Sequence, residues 1–213
     1  METIFVLIIL LFSIIIHEIA HGSIANLLGD PTAKLAGRLT LNPSKHLDIF
    51  GSIILPLLFL FFYALAGTTG PIVGWAKPVP INPHNFRDKK WGTLKVSIAG
   101  PAVNFLIAII FGLLIRFFGL FSFNSLGVFI FLFSRIAIYN FLWGIFNLVP
   151  IPPLDGSHIL FRFFPEKWNN VKFFLHQYSV FLLIFLIFIL PGLYWIFFGA
   201  AVLYYFVSGQ PFI

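Results

Sequence analysis

Residues Thr3–Leu28 read TIFVLIILLFSIIIHEIAHGSIANLL, and this stretch decides both the fold class and the chemistry of the chain. It is long enough to cross a bilayer as a helix, which takes about 20 predominantly apolar residues. Three ionisable residues, His17, Glu18 and His21, nevertheless lie inside it. Because charge in a lipid-facing helix is costly, ionisable residues within a membrane span predict a functional site.

Composition extends the membrane interpretation to the whole chain. Of 213 residues, 60% are hydrophobic and 9% are charged, whereas soluble domains carry about 25% charged residues. Apolar runs cover Thr3–Leu28, Ile49–Ala66, Leu94–Leu120, Gly127–Val149, Phe173–Leu190 and Leu193–Val207. The sequence therefore predicts an all-α polytopic membrane protein with about five to six transmembrane helices, in one integral membrane domain over residues 1–213. Cysteine is absent, which excludes disulfides and thiolate metal ligands.

The basic residues predict the topology. Eleven of the 13 lysines and arginines lie in three loops, Lys34–Lys45, Lys77–Lys95 and Arg162–Lys172. The positive-inside rule places all three in the cytoplasm, so the net charge of +6 indicates loop lysines and no nucleic-acid partner. A single crossing at Ile49–Ala66 would place the first two loops on opposite sides of the membrane. Both loops can lie on the same side if Gly67–Val79 returns through the membrane as a non-helical re-entrant loop. Such backbone is tolerated only where protein or a water-filled cavity covers it, so we expect it to line a cavity.

The histidine pair predicts a zinc site. His17 and His21 are four residues apart, so they share one face of a helix and can bind one metal ion, while Glu18 can reach an attacking water. By chance this pattern occurs somewhere in such a chain only a few per cent of the time, at roughly 1 in 20 per position. Within an apolar span a chance match is rarer still.

A catalytic zinc takes three protein ligands, so a third ligand is required. Of the seven acidic residues, five lie in or beside polar loops and are expected to be solvated: Glu2, Asp30, Asp48, Asp88 and Glu166. Asp155 differs, because it stands in the proline-broken segment Asn147-Leu-Val-Pro-Ile-Pro-Pro-Leu-Asp-Gly156 at the end of an apolar run. A kinked segment there can fold back to the depth of His17, about 16 Å before the end of the first helix at 1.5 Å per residue.

Together these motifs resemble the site-2 protease family of intramembrane zinc metalloproteases, specifically its minimal bacterial and archaeal branch without PDZ or CBS domains. The similar elements are His17-Glu18-x-x-His21, Gly100-Pro101-x-x-Asn104, Asn147-x-x-Pro150-x-Pro152-x-Leu154-Asp155-Gly156, Gly37–Pro43 and Gly74–Pro80. We therefore expect a catalytic core over residues 1–165. Residues 166–213 are expected to form C-terminal membrane helices, which carry no signature of the family.

The resemblance implies a role for each matching residue. Asp155 would complete the site of the two histidines around one Zn²⁺, and Glu18 would be the general base and then the proton donor to the leaving amine. Asn147 would hydrogen-bond the extended backbone of a substrate, or alternatively form a helix–helix contact near the kink. For Asn104, substrate binding and packing of small residues against the zinc helix are equally open. The other histidines, His46, His84, His158 and His176, are expected to be exposed or interfacial.

The predicted function is hydrolysis of peptide bonds in or near transmembrane segments of membrane-protein substrates. The resemblance and the basic loops place the enzyme in a prokaryotic cell membrane with its active site toward the cytoplasm. The substrate must unwind, and its extended chain can pair with a strand edge in Gly37–Pro43 or in the re-entrant loop. A metal transporter or sensor is the alternative, although such a site needs no base at Glu18. A silent scaffold is less favoured, because every residue that the chemistry requires is present.

Overall fold

The described part of the chain is built from helices. The computed structural model describes residues 2–68, 74–118, 127–189 and 192–212, and none of these residues lies in a strand. In chain order the helices are α1 (Glu2–Leu27), α2 (Thr32–Leu35), α3 (Leu55–Ala66), α4 (Gly92–Phe118), α5 (Gly127–Asn147), α6 (Asp155–Phe163), α7 (Asn169–Gln177), α8 (Ser179–Ile184) and α9 (Gly192–Ser208). A π-helix, Ile49–Ile54, leads into α3, and another, Phe185–Ile189, follows α8. The predicted all-α class is confirmed.

Within the described ranges, four helical segments are long and apolar enough to span a membrane: Phe5–Leu27, Ile49–Ala66, Gly92–Phe118 and Gly127–Asn147. A fifth span exists if Asn169–Gln177 and Ser179–Ile187 count as one, although they are bent by 69°. The last apolar helix, α9, has 17 residues. These spans confirm a polytopic membrane protein, but the run that the sequence predicts as one helix, Phe173–Leu190, is divided by that bend.

Helix α4 lies at the centre of the bundle and packs against α1, α5, α6 and α9. Its core with α5 and α9 consists of Ala108, Ile115, Ala137, Ile138, Phe141, Ala200 and Tyr204. Gly112 lets α9 approach closely, since a Cβ atom at that position would lie 2.7 Å from Cγ1 of Val207. Small residues at helix crossings permit tight packing within membranes. Helix α9 therefore shares one core with α4 and α5.

The chain doubles back after α3. Gly67 ends α3 in the left-handed conformation, with φ of 63°, as helix C-termini often do. By Trp75 the backbone is again beside the start of the preceding helix, because the Trp75 N–H donates to the Gly51 carbonyl (3.1 Å) and Ser52 Oγ donates to the Trp75 carbonyl (2.8 Å). The predicted re-entrant stretch thus begins at the C-terminal end of α3 and returns to the start of the helical segment Ile49–Ala66. Residues 69–73 of that stretch lie outside the described ranges.

The three basic loops contact one another. The Lys77 N–H donates to the His46 carbonyl (2.8 Å), which joins the first loop to the second. The Arg162 guanidinium lies 4.4 Å from the ring centre of Trp91, which joins the second loop to the third. The loops therefore lie at the same end of the bundle, as the positive-inside rule requires.

Asp30 joins the end of α1 to the loop before α4, and the prediction that it is solvated is wrong. Its side chain is fully buried and accepts hydrogen bonds from Thr32, from the Asn82 N–H (2.7 Å) and from Asn85 Nδ2 (2.8 Å). Burial opposes ionisation, but these hydrogen bonds hold the pKa of the Asp30 carboxyl below its usual range. His46, also expected at the surface, is fully buried between the loops. Both errors arise because loops distant in sequence pack together.

Asp30→Ala is expected to lower the free energy of unfolding by roughly 2–4 kcal/mol, because several hydrogen bonds to a buried, charged acceptor are lost together. Thermal unfolding in detergent measures this loss. Because the pKa of Asp30 is lowered in the folded protein, its stabilising contribution is complete above the pKa of the unfolded residue, about 3.9. That contribution is lost as the pH falls through the lower pKa of the folded state.

Asp88→Ala is the matched control for Asp30. The Asp88 carboxylate is partly exposed and accepts hydrogen bonds from Lys95 Nζ (2.7 Å) and the Trp91 N–H (2.8 Å), both close in sequence. Because solvent can replace these partners, its removal should lower the unfolding temperature less than Asp30→Ala does. Equal decreases for the two variants would contradict a special role for Asp30.

Candidate metal centre

The two histidines of α1 face α4 and are buried, with 4% and 7% of their surfaces exposed for His17 and His21. His17 Nδ1–H donates to Asn104 Oδ1, and His21 Nδ1–H donates to the Val96 carbonyl, both at 2.7 Å. Because a carbonyl oxygen only accepts, each Nδ1 carries the proton and each neutral ring has its lone pair on Nε2. The two Nε2 atoms are 3.0 Å apart.

Asp155 reaches these nitrogens because the chain reverses between α5 and α6. The Leu154 N–H donates to the Ile151 carbonyl (3.0 Å) within the turn. Gly156 makes the turn possible, since a Cβ atom there would lie 2.6 Å from the Val149 carbonyl oxygen. Asp155 is the first residue of α6, where the helix dipole favours a negative charge.

The three side chains form a donor set that fits zinc. Asp155 Oδ2 lies 3.1 Å from His17 Nε2 and 3.2 Å from His21 Nε2. Ligand atoms on one tetrahedral zinc, at about 2.0–2.2 Å from it, are about 3.3 Å apart. Asp155 Oδ2 is buried without a hydrogen-bond partner in the described structure. Two lone pairs and a carboxylate therefore converge on one point, an arrangement that a cation stabilises.

Asn104 lies behind the histidines and is fully buried. While its Oδ1 accepts from His17, its Nδ2 donates to Asn140 Oδ1 (2.9 Å) and to the Ser13 carbonyl (3.3 Å). These contacts favour the predicted packing of Asn104 against the zinc helix over its predicted substrate contact, and both roles stay predictions. Asn140 is not among the site residues predicted from the sequence. Its signal is a polar residue inside an apolar run, seven residues before Asn147 and so on the same helix face.

A cavity of about 350 Å³ opens beside the metal-ligand set. Its lining includes His17, Glu18, His21, Val79, Asn147, Asp155 and His158. Glu18 is half-buried, and its Oε2 accepts a hydrogen bond from the Val79 N–H (2.7 Å). Val79 belongs to the segment that the sequence predicts to be re-entrant, so this segment lines a cavity as expected. The sequence analysis had no signal for the Val79 contact, because a backbone N–H is common to nearly every residue type.

Asn147 and His158 both lie at the cavity, but neither contacts the donor set by a hydrogen bond among the described residues. Asn147 is buried, and its Nδ2 donates to the Trp143 carbonyl one turn earlier (3.0 Å). His158 is exposed, as predicted, one turn after Asp155. The structure thus places Asn147 where either of its two predicted roles can be fulfilled.

Comparison with known proteins identifies relatives over most of the chain. Residues 122–190 match the model of peptidase family M50. The chain is 38% identical to “Putative zinc metalloprotease YwhC” of Bacillus subtilis over 160 residues, which are 73% of this chain and 67% of the relative. It is 30% identical to “Putative zinc metalloprotease Rip2” of Mycobacterium tuberculosis over 203 residues, which are 93% of this chain and 72% of the relative.

A third relative is archaeal. “Zinc metalloprotease MJ0392” of Methanocaldococcus jannaschii is 33% identical over 96 residues, which are 44% of this chain and 27% of the relative. No solved structure is significantly similar to the chain. The relatives and the His-His-Asp group do not favour the transporter alternative. The chain therefore belongs to peptidase family M50, the site-2 proteases, and is an intramembrane zinc metalloprotease.

Proposed function

We propose that His17, His21 and Asp155 hold the zinc ion, and that Glu18 is the general base for hydrolysis of peptide bonds in or near transmembrane segments of membrane proteins. The convergence of two imidazole lone pairs with a buried, unpartnered carboxylate carries this proposal. Glu18 opens onto the same cavity but lies outside the three-residue donor group. That separation of ligands from base is what hydrolysis requires.

Zinc bound at this site would supply Lewis acidity to the scissile carbonyl and to the attacking water. Glu18 accepts the proton of the water and later donates it to the leaving amine. Its Oε2 is occupied by the Val79 N–H, so Oε1 is the atom that we assign to proton transfer. Asn104 and the Val96 carbonyl keep the histidine rings oriented, with Nε2 free of its proton.

Gly100 supports the assignment of the metal ligands. A Cβ atom at this position of α4 would lie 2.6 Å from His17 Nε2 and closer still to His21 Nε2. Only a residue without a side chain lets α4 approach the imidazoles at this distance. The absence of a Cβ atom at position 100 therefore leaves room for both imidazole rings beside α4.

We further propose that the substrate binds as an extended chain along Gly74–Pro80. The backbone N–H groups of Trp75, Lys77 and Val79 donate to Gly51, His46 and Glu18. Ala76, between Trp75 and Lys77, forms no backbone hydrogen bond with the described residues. A substrate strand can pair with the free backbone groups of Ala76, and Asn147 lines the same cavity as Val79, where it can bind the substrate backbone.

The protease is proposed to form one domain over residues 1–213 in a prokaryotic cell membrane. The core over residues 1–165 carries the site, and the membrane helices of residues 166–213 complete the bundle. The packing of α9 against α4 and α5 supports one domain. The contacts between the three basic loops support a cytoplasmic location for the end of the bundle where those loops lie.

Gly100→Ala is expected to weaken zinc binding about tenfold or more, because the added methyl group displaces both imidazoles. Zinc content of the purified protein and competition with a chelator measure this change. Gly127→Ala is the matched control, since a Cβ atom at the start of α5 meets nothing within 4 Å. Undiminished zinc affinity in Gly100→Ala would contradict the assignment of His17 and His21 as zinc ligands.

Glu18→Gln is expected to reduce proteolysis by roughly 100-fold or more, the usual contribution of general acid–base catalysis. The amide keeps the size of the side chain but cannot accept the proton. Cleavage is measured with a quenched fluorescent peptide whose single apolar span is interrupted by glycine and proline, residues that help a helix unwind. Zinc content should be unchanged, and a variant that keeps both zinc and proteolysis would refute the mechanism.

Single cysteines test the topology, since the native chain has none. Lys45→Cys and Lys89→Cys should react with an impermeant maleimide only from the cytoplasmic face, because the two loops are in contact and are rich in basic residues. Gly127→Cys, at the opposite end of the bundle, should react only from the outer face. Labelling of Lys45 and Lys89 variants from different faces would exclude the re-entrant arrangement.

A further inference from the structure

Arg38 holds the backbone segment that contacts Glu18. It is 7% exposed, and its Nη2 donates to the carbonyls of Lys77 (2.7 Å) and Pro78 (3.2 Å). The next residue, Val79, donates its N–H to Glu18 Oε2 (2.7 Å). We propose that Arg38 is a positioning residue for proteolysis, which fixes residues 77–79 so that the Val79 N–H orients the Glu18 carboxylate. This inference rests on the proposed role of Glu18 as general base.

The burial of Arg38 is unusual for a purely structural residue. A buried cation is costly unless it is paired, yet no ion pair formed by the described residues includes Arg38. Its Nε is buried without a hydrogen-bond partner. The guanidinium instead binds two consecutive carbonyls through Nη2. Its binding is therefore directed at the course of the backbone immediately before Val79.

The sequence around Val79 leaves one donor for Glu18. Pro78 and Pro80 lack an N–H, so Val79 provides the only backbone donor of residues 78–80. The two prolines also restrict φ on either side of it. Lys77 is held at both of its backbone groups, since its N–H donates to the His46 carbonyl (2.8 Å) while its carbonyl accepts from Arg38. The position of the Val79 N–H is thus determined by its anchored neighbours.

The chemical effect follows from the geometry of a carboxylate. A hydrogen bond from the Val79 N–H occupies Oε2 and fixes the plane of the group, which presents Oε1 to the water. A general base must lie within about 2.6–3.2 Å of the proton that it removes. Misplacement by about 1 Å can reduce a rate by roughly 100-fold. Loss of this contact should therefore lower kcat while KM and zinc binding change little.

Val79→Pro and Val79→Ala test the N–H directly. Both replace the valine side chain, but only proline removes the donor, in a segment that already contains Pro78 and Pro80. We expect kcat of Val79→Pro to be roughly 10- to 100-fold below that of Val79→Ala, with one zinc per chain and similar KM in both. The full-length protein in detergent and the glycine- and proline-interrupted single-span peptide are used for these measurements.

Arg38→Met and Arg38→Lys test the anchor. Methionine keeps an apolar chain of similar length without donors, whereas lysine retains a donor for the two carbonyls. We expect Arg38→Met to lower kcat about tenfold or more, by loss of charge-assisted hydrogen bonds, and Arg38→Lys to restore part of it. Lys34→Met, on the exposed surface of α2, controls for removal of a basic residue.

Glu18→Gln in the same assay separates this inference from the proposed function. If Glu18→Gln is inactive while Val79→Pro and Val79→Ala have the same kcat, the positioning inference is overturned and the general base stands. If Glu18→Gln remains active, the proposed function fails. Should Val79→Pro not fold, the Arg38 pair decides: wild-type kcat in a zinc-loaded Arg38→Met protein also overturns the inference.

Discussion

Two imidazole rings inside an apolar helix need partners for four nitrogen atoms, and this requirement organises the rest of the structure. Polar groups within a membrane are costly unless they are satisfied by protein. The Nδ1 atoms of His17 and His21 are satisfied by Asn104 and the Val96 carbonyl of α4. The Nε2 atoms face Asp155 of α6. Helices α1, α4 and α6 are therefore held in register by one polar cluster.

The same requirement explains the glycine and proline motifs. α4 can approach the rings only because position 100 has no side chain. Asp155 reaches the depth of the histidines only because the chain turns back after Asn147, with Gly156 accommodated against the Val149 carbonyl. Glycine and proline motifs that interrupt apolar helices thus bring the three proposed metal ligands together. Farther out, Asp30 and Arg38 fix the loops that cover the cavity by binding backbone groups.

Helix bounds and the donor set were predictable from sequence for physical reasons. Apolar runs must match the thickness of a bilayer, so the predicted and observed bounds of α1 and α5 differ by at most two residues at either end. Asp155 stood out because acidic residues are scarce and it follows a proline-broken helix. The bend between α7 and α8 was missed, since hydropathy does not report the direction of a helix.

Contacts between distant segments were not predictable. The burial of Asp30 and His46 depends on packing between loops, which local composition does not encode. Asn104 was recognised as part of a motif, but its orientation toward His17 required the position of α4. The Val96 carbonyl and the Val79 N–H are backbone groups, so no residue type marks them. Sequence therefore predicts which residues carry the chemistry better than which groups orient them.

The central claim is that two histidines and one aspartate of this chain bind a single zinc ion. X-ray absorption at the zinc edge of the purified protein, and of Asp155→Ala prepared alongside it, tests this claim most directly. For the wild-type protein we expect two imidazole nitrogens and oxygen ligands at about 2.0–2.2 Å from zinc, without sulfur. For Asp155→Ala we expect weaker zinc binding and an altered shell of oxygen ligands. Equal zinc binding with an unchanged coordination shell in Asp155→Ala, or a wild-type protein that binds no zinc, would contradict it.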